Sequence, residues 1–160
     1  MTDLRPATSK DVETLALIHV QSWRETYVGL LPADVIAAQT IEKRRALWQK
    51  ILAMGHSRVW LLDEVGFAQF GPQREDQWRN QGYTEELYAI YVLRSGFGHG
   101  RKLLEAAHGP CGQPFTTCVL AENARACVFY KKTGAKWLTT RSEMIGRAAI
   151  TEHVYGWRRL

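Results

Sequence analysis

Three cysteines in 160 residues, none of them in a C-x-x-C pair, leave this chain without a disulfide framework or a thiolate-rich metal centre. Cys111, Cys118 and Cys127 are odd in number and have no compact set of histidine partners, so they read as reduced thiols and no metal site is expected. Long hydrophobic runs are also absent. Nothing approaches the roughly 20 apolar residues of a membrane span, and Met1-Thr-Asp-Leu-Arg-Pro6 lacks the apolar stretch of a secretory signal. A cytoplasmic protein with no membrane partner is the expectation. Internal repeats, low-complexity tracts and linkers are missing too, so residues 1–160 are expected to form one domain, its 46% hydrophobic content enough for a buried core. Two common nucleotide fingerprints also fail. A dinucleotide turn needs G-x-G-x-x-G, but in Gly96-Phe-Gly-His-Gly-Arg101 the third glycine comes one residue early. A P-loop needs G-K-[ST], and Gly100 is followed by Arg101 with no hydroxyl residue after Lys102.

What is present is a basic balance, net +5, gathered in short clusters at Lys43-Arg44-Arg45, Arg101-Lys102, Lys131-Lys132 and Arg158-Arg159. Pairs this short usually form solvated faces, which disfavours nucleic acid and fits a small polyphosphate ligand. The segment from Glu86 to Glu105 shows where such a ligand could sit. It reads as a buried strand, Glu86 to Leu93, then a turn with Gly96, Gly98 and Gly100, then an amphipathic helix from Gly98 to His108. A glycine-spaced turn entering a helix exposes unpaired backbone N–H groups at the positive end of the helix dipole, and Arg94, Arg101 and Lys102 lie beside it. That combination is an anion cradle.

Around it, periodicity predicts a short strand at Leu4–Ala7 and a helix from Lys10 to Tyr27 capped by Ser9. A helical piece follows at Pro32–Ala38, then a helix from Thr40 to Met54 with Leu47, Ile51 and Leu52 facing inward. Strands are expected at Ser57–Asp63, Gly66–Phe70, Phe115–Val119, Trp137–Thr140 and Ile150–Gly156, a helix at Asn123–Thr133 ended by Gly134, and a long loop at Gly71–Thr84. The result is a mixed α/β sheet.

In Val119-Leu-Ala-Glu-Asn-Ala-Arg-Ala-Cys-Val-Phe-Tyr-Lys-Lys-Thr-Gly-Ala135, residues Asn123, Ala126, Phe129, Tyr130 and Gly134 follow the spacing N-x-x-A-x-x-F-Y-x-x-x-G. Preceded by a G-x-G-x-[GA] turn and a strand, this closely resembles the GCN5-related N-acetyltransferases. The resemblance implies a central mixed, mostly antiparallel sheet flanked by helices, with acetyl-CoA as cofactor. Its pantetheine arm would lie along the strand at Tyr91 and Val92. Its pyrophosphate would lie on Arg94, Gly96, Phe97, Gly98, His99, Gly100 and Arg101, with Asn123, Phe129 and Tyr130 beside it. Ser95 stands where the family usually has glutamine or arginine, leaving Arg94 to supply that charge.

The implied reaction is direct transfer of acetyl to a primary amine, small molecule or peptide, held together with the cofactor. Glu86 is the implied base for the ammonium, with Glu85 as its substitute, and Tyr130 the acid for the departing thiolate: a phenol of pKa about 10 stays protonated at neutral pH and can protonate a thiolate whose own pKa is about 8.5. His19, Trp23 and Tyr27 share one face of the first helix. Such a stripe is commonly core, and where exposed Trp23 and Tyr27 would wall the acceptor site. A homodimer is left open, as are two other functions. A CoA-binding module of the same fold would show affinity without turnover, and an RNA-associated, tRNA-acetylating protein would carry nucleic acid released by salt.

Overall fold

The computed structural model describes residues 3–110 and 112–160, so the expected thiol of Cys111 lies outside the described residues, while Cys118 and Cys127 are free thiols. Seven strands form one sheet in the order β1-β2-β3-β4-β5-β7-β6. They are β1 (Leu4–Pro6), β2 (Arg58–Leu62), β3 (Gly66–Pro72), β4 (Glu85–Val92), β5 (Phe115–Leu120), β6 (Lys136–Ile145) and β7 (Ala148–Trp157). Every neighbouring pair is antiparallel except β4 and β5, which run parallel. The mixed, mostly antiparallel sheet flanked by helices expected from the sequence is therefore the one observed.

Helices α1 (Val12–Tyr27) and α3 (Ile41–Met54) cover one face, where Leu15, Ile18 and Trp48 pack on Val59, Leu61 and Phe67. Helices α5 (His99–His108) and α6 (Ala124–Lys132) cover the other, packing Leu103, Leu104 and Tyr130 on Phe70, Leu87, Phe115 and Trp157. Short α2 (Ala33–Ala37) and α4 (Asp76–Arg79) lie in the connections.

Local chemistry sets the helix starts. Thr8, not Ser9, caps the first turn: its hydroxyl accepts from Lys10 N, while Asp11 accepts from Thr8 N at 2.7 Å. Asp11 is then clamped by Arg5 through two 2.8 Å bonds. Thr40 caps α3 as expected, accepting from Lys43 N at 3.3 Å. On α3, Ile51 and Leu52 pack against the core as expected, but Leu47 is 37% exposed and the buried positions are Arg44 and Trp48.

Two further departures share one cause, weak patterning on polar segments. The expected loop at 71–84 contains α4, and β6 and β7 are ten residues each, longer than their sequence signal. The polar alternation of β6 is held by its backbone ladder to β7 rather than by burial.

One irregularity positions the site. Across β3 and β4 the register passes from Gln69↔Ala89 to Phe70↔Leu87, so Tyr88 is an extra residue. Residues two apart on a strand normally share a face, yet Leu87 joins the α5–α6 core and Ala89 the α1–α3 core. The bulge thus turns Glu86 toward the α1 side, where Tyr91 also packs.

Candidate active site

Strands β4 and β5 pair only at Glu85↔Phe115 and Glu86↔Thr116, then part. Beyond this fork the β5-facing backbone groups of β4 have no ladder partner among the described residues, a free edge that an extended ligand can complete. Thr117 Oγ1 donates to Leu87 O at 2.9 Å just past the last pair. Tyr130 reaches the same point from α6, buried against Tyr155 and Trp157 with Thr117 among its polar neighbours. Burial pushes its phenol well above the ordinary tyrosine range, and the nearby Tyr91 adds to this. Tyr27 is raised in the same way, by burial first and then by Tyr91 and Tyr130. Phenols from α1, β4 and α6 therefore converge on the fork.

The glycine turn follows β4 directly. Gly96 and Gly98 have φ of +87° and +75°, values that side-chain-bearing residues rarely adopt, and Gly98 is the residue before α5. A Cβ at Gly100 would come within 3.2 Å of the Phe129 ring, so this glycine lets α5 approach α6. Phe97 is 70% exposed at the turn's tip, Arg94 is exposed, and His99 Nδ1 is buried with no hydrogen-bond partner among the described residues. Arg101 is partly engaged, donating to Lys132 O at 3.3 Å. Asn123 Oδ1 accepts from Ala126 N at 3.2 Å, so it caps α6 while its amide N–H groups stay available.

Glu85 and Glu86 separate here. Glu85 points to the α5 side, bound by Arg58 at 2.6 Å. It does not line the cavity on which Glu86 opens. Glu86 is 3% exposed and receives Arg74 Nη2 at 2.5 Å, Arg74 Nε at 3.2 Å and Arg74 N at 3.3 Å. The same guanidinium lies 4.0 Å over the Tyr88 ring.

Glu86 forms part of the lining of a cavity of about 700 Å³ that also holds Glu75, Glu143, Glu152, Arg74, Arg141 and the apolar Met144, Ile145 and Ile150. At formal charges this lining carries two surplus negative charges. Arg141 ties it together, bonding Glu75 at 2.7 and 3.0 Å and Glu152 at 2.7 Å. Cys118 also lines the cavity. Burial, then Glu152, pushes its thiol up to about 12, which leaves it inert at neutral pH.

On α1, Trp23 and Tyr27 are half-buried and packed edge to face, ring centroids 4.8 Å apart. Trp23 Nε1 donates to Tyr91 Oη at 3.1 Å, and the Tyr27 and Tyr91 hydroxyls lie 3.3 Å apart. His19 belongs to the core: its Nδ1 accepts from Trp48 Nε1 at 3.2 Å, and burial, with Arg44 nearby, pushes its pKa down to about 3. The structure thus brings Trp23, Tyr27 and Tyr91 together with Tyr130 nearby, places Glu86 at the closed end of the fork with Arg74 and the acidic cavity, and places the glycine turn after β4. The sequence reading missed Arg74 and Glu75, hidden in an apparent loop, and Thr117, Arg141 and Glu152, whose strand positions carried no motif.

A forked parallel pair inside a mixed sheet, with a glycine turn and helix N-terminus just downstream, defines the fold of acyl-CoA-dependent N-acyltransferases. Comparison with known proteins agrees. A GCN5-related N-acetyltransferase from Rhodopseudomonas palustris has this fold with TM-score 0.73 at 16% identity, covering 99% of this chain and 96% of its own. Two more share it at TM-score 0.70: yncA of Salmonella typhimurium, solved with its cofactor acetyl-CoA, at 20% identity over 99% and 94% of the two chains, and the PaiA N-acetyltransferase of Thermoplasma acidophilum, solved with coenzyme A, at 18% over 96% and 98%. In sequence, the chain is 36% identical over 111 residues to the uncharacterized N-acetyltransferase YuaI of Bacillus subtilis (strain 168). That stretch is 65% of this chain and spans 61% of the relative's length. No family model matches the chain. The resemblance to the GCN5-related N-acetyltransferases is borne out, and this chain has their fold. Among the described residues no helix is long and apolar enough to cross a membrane.

Proposed function

We propose that this protein transfers an acetyl group from acetyl-CoA to a primary amine, the two being held together while the amine attacks directly. The observation that carries this reading is the fork after Glu86↔Thr116, with Tyr130 at its apex and the glycine turn at the far end of the same strand. When bound, acetyl-CoA supplies an activated carbonyl carbon and a thiol leaving group.

The free edge of β4 at Tyr91 and Val92 would orient the pantetheine arm. Backbone N–H groups from Gly96 to Arg101, with Arg94 beside them, would hold the pyrophosphate, and exposed Phe97 would cover it. Asn123 and Phe129 border the arm from α6. On the opposite face the acidic cavity would receive the ammonium. Glu86 takes its proton, directly or through water, once the acceptor displaces part of the Arg74 clamp. The nitrogen lone pair would then form the new N–C bond as the C–S bond breaks; Tyr130 would give a proton or hydrogen bond to the departing sulfur, and the second proton, lost by the acylated nitrogen, would restore the phenol or pass to water. Trp23 and Tyr27 shelter the reacting atoms from water.

The test is acetyl-CoA consumption against a panel of primary amines, with calorimetry of coenzyme A binding in parallel. Amine-dependent loss of thioester is the expected result. Tight binding with no turnover on any amine would instead make the protein a CoA-binding module.

A further inference from the structure

Arg44 looks from sequence like part of a solvated basic cluster, yet the structure buries it. It is 8% exposed on α3, and its Nε and Nη2 are enclosed with no hydrogen-bond partner among the described residues. Its neighbour Arg45 turns outward and bonds Glu13 at 2.6 and 2.9 Å. No carboxylate pairs with Arg44 among the described residues, and its main compensation is the Trp23 ring, 4.9 Å from the guanidinium carbon. A buried charge left this way is costly unless something else completes it.

The groups around Arg44 offer hydrogen-bond donors and no spare anion. The Tyr91 hydroxyl accepts from Trp23 Nε1, and a single hydrogen bond joins the Tyr27 and Tyr91 hydroxyls. Whichever phenol donates in that bond, one phenolic proton is left over. His19 accepts at Nδ1 from Trp48, which puts its own proton on Nε2. A guanidinium fork and a phenol proton, enclosed together, match the two oxygens and unit charge of a carboxylate. Tyr91 projects from β4 toward α1, the face assigned above to the acceptor.

We propose that Arg44, aided by the uncommitted phenol of the Tyr27–Tyr91 pair, binds a carboxylate on the acceptor, so that the substrates are amino carboxylates rather than simple amines. The acceptor's carboxylate would lie against Arg44 and its ammonium toward Tyr130 and the open part of the fork. This rests on the acetyl-transfer reading for the identity of that face.

The test compares matched acceptors, a set of L-α-amino acids plus 4-aminobutyrate, each against its carboxamide, in the unmodified protein, Arg44→Gln and Arg44→Lys. Comparing ratios between proteins cancels the different basicities of the two amines. The unmodified protein should favour one or more acids over their amides at least 10-fold in kcat/KM, and Arg44→Gln should reduce that ratio at least 10-fold, with Arg44→Lys between them. An acid-to-amide ratio unaffected by Arg44→Gln overturns the proposal. It is equally overturned if Arg44→Gln changes only the preference for succinyl-CoA over butyryl-CoA, which would move the carboxylate to the acyl donor. A lowered unfolding temperature with unchanged ratios makes Arg44 a packing residue and overturns it too. Calorimetry with N-acetyl-L-amino acids and their amides needs no turnover. If no amine is acetylated, the activity reading fails, while an Arg44-dependent preference for the acids still sustains this site and its absence removes it.

Discussion

Thr117 Oγ1 donates to the carbonyl of Leu87 at 2.9 Å, one residue beyond the last ladder pair of β4 and β5. The hydroxyl does at the fork what a backbone N–H does in the ladder, and it also contacts the phenol of Tyr130. Thr117→Val keeps the β-branched shape and removes that tie. A buried carbonyl left unpaired costs about 1–3 kcal/mol. At about 2–4 °C per kcal/mol for a chain of this size, the unfolding temperature should fall by about 2–12 °C. Turnover should fall as well, because Tyr130 loses its register with the fork. An unchanged melting curve and unchanged kcat would show that the strands part without help from this residue.

Gly98→Asp tests the cradle. The residue has φ of +75°, and no heavy atom lies within 4 Å of where its Cβ would be. The carboxylate therefore projects into open space at the N-terminus of α5, where the phosphate oxygens are expected, and combines steric block with like-charge repulsion. Coenzyme A affinity should drop at least 10-fold in a folded protein. Calorimetry giving the same affinity in a variant with an unaltered circular dichroism spectrum would take the turn out of the site.

Glu86→Gln keeps the shape of the side chain but cannot take up a proton, and it leaves Arg74 a single neutral amide oxygen in place of the carboxylate. Turnover should fall most near neutral pH, on the order of 10²-fold for loss of a general base, and recover partly as rising pH deprotonates the amine in solution. Coenzyme A affinity should barely move, since Glu86 faces the opposite side of the fork. A pH–rate profile that overlays the unmodified enzyme's would end the assignment.

Far from the site, Asp11 makes a prediction for stability. Hydrogen bonds from Arg5 hold its carboxyl down to about 2 in the folded protein, against an ordinary value of 3.8. A depressed folded pKa adds stability that is fully present above the unfolded value and is lost as pH falls through the folded one. Asp11→Asn should therefore lower the unfolding temperature at pH 7, and the gap from the unmodified protein should close between about pH 4 and 2. Melting curves across that range check it; a gap independent of pH would assign the effect to the lost Thr8 cap alone.

The sequence carried the parts of the fold that repeat a strong pattern. Asn123 to Gly134 and Gly96 to Arg101 set backbone geometry locally, through a cap, two positive φ values and a close approach at Gly100, so their spacing was readable and their placement followed. Arg74, Arg141 and Glu152 were not legible. Their role comes from partners 12, 66 and 11 residues away, and no local pattern encodes such pairs. Arg44 failed for a related reason: beside Lys43 and Arg45 it looks solvated, and only the packing of α3 on α1 sets it against Trp23. The Tyr88 bulge is equally silent in sequence, although it decides that Glu86, and not Glu85, shares the α1 face with Ala89 and Tyr91.

Tyr130 is where fold and proposed chemistry meet most closely. Burial and the neighbouring Tyr91 raise its pKa, so the phenol remains protonated across the assay range and should contribute no limb to a pH–rate profile below about pH 10. Tyr130→Phe keeps the ring that packs against Trp157 and Tyr155 and deletes only the hydroxyl that faces Thr117 and the fork. Loss of a group that protonates or hydrogen-bonds the leaving sulfur should cost about 10²–10⁴-fold in kcat. Acetyl-CoA affinity should change little, because the interaction strengthens only as negative charge develops on sulfur. The defect should also shrink with an acyl donor whose thiol has a lower pKa, since that group departs with less help. Single-turnover rates with both donors separate the possibilities. An equal loss with each donor makes the hydroxyl a positioning group, and normal turnover with acetyl-CoA when chemistry limits the rate makes Tyr130 a packing residue only.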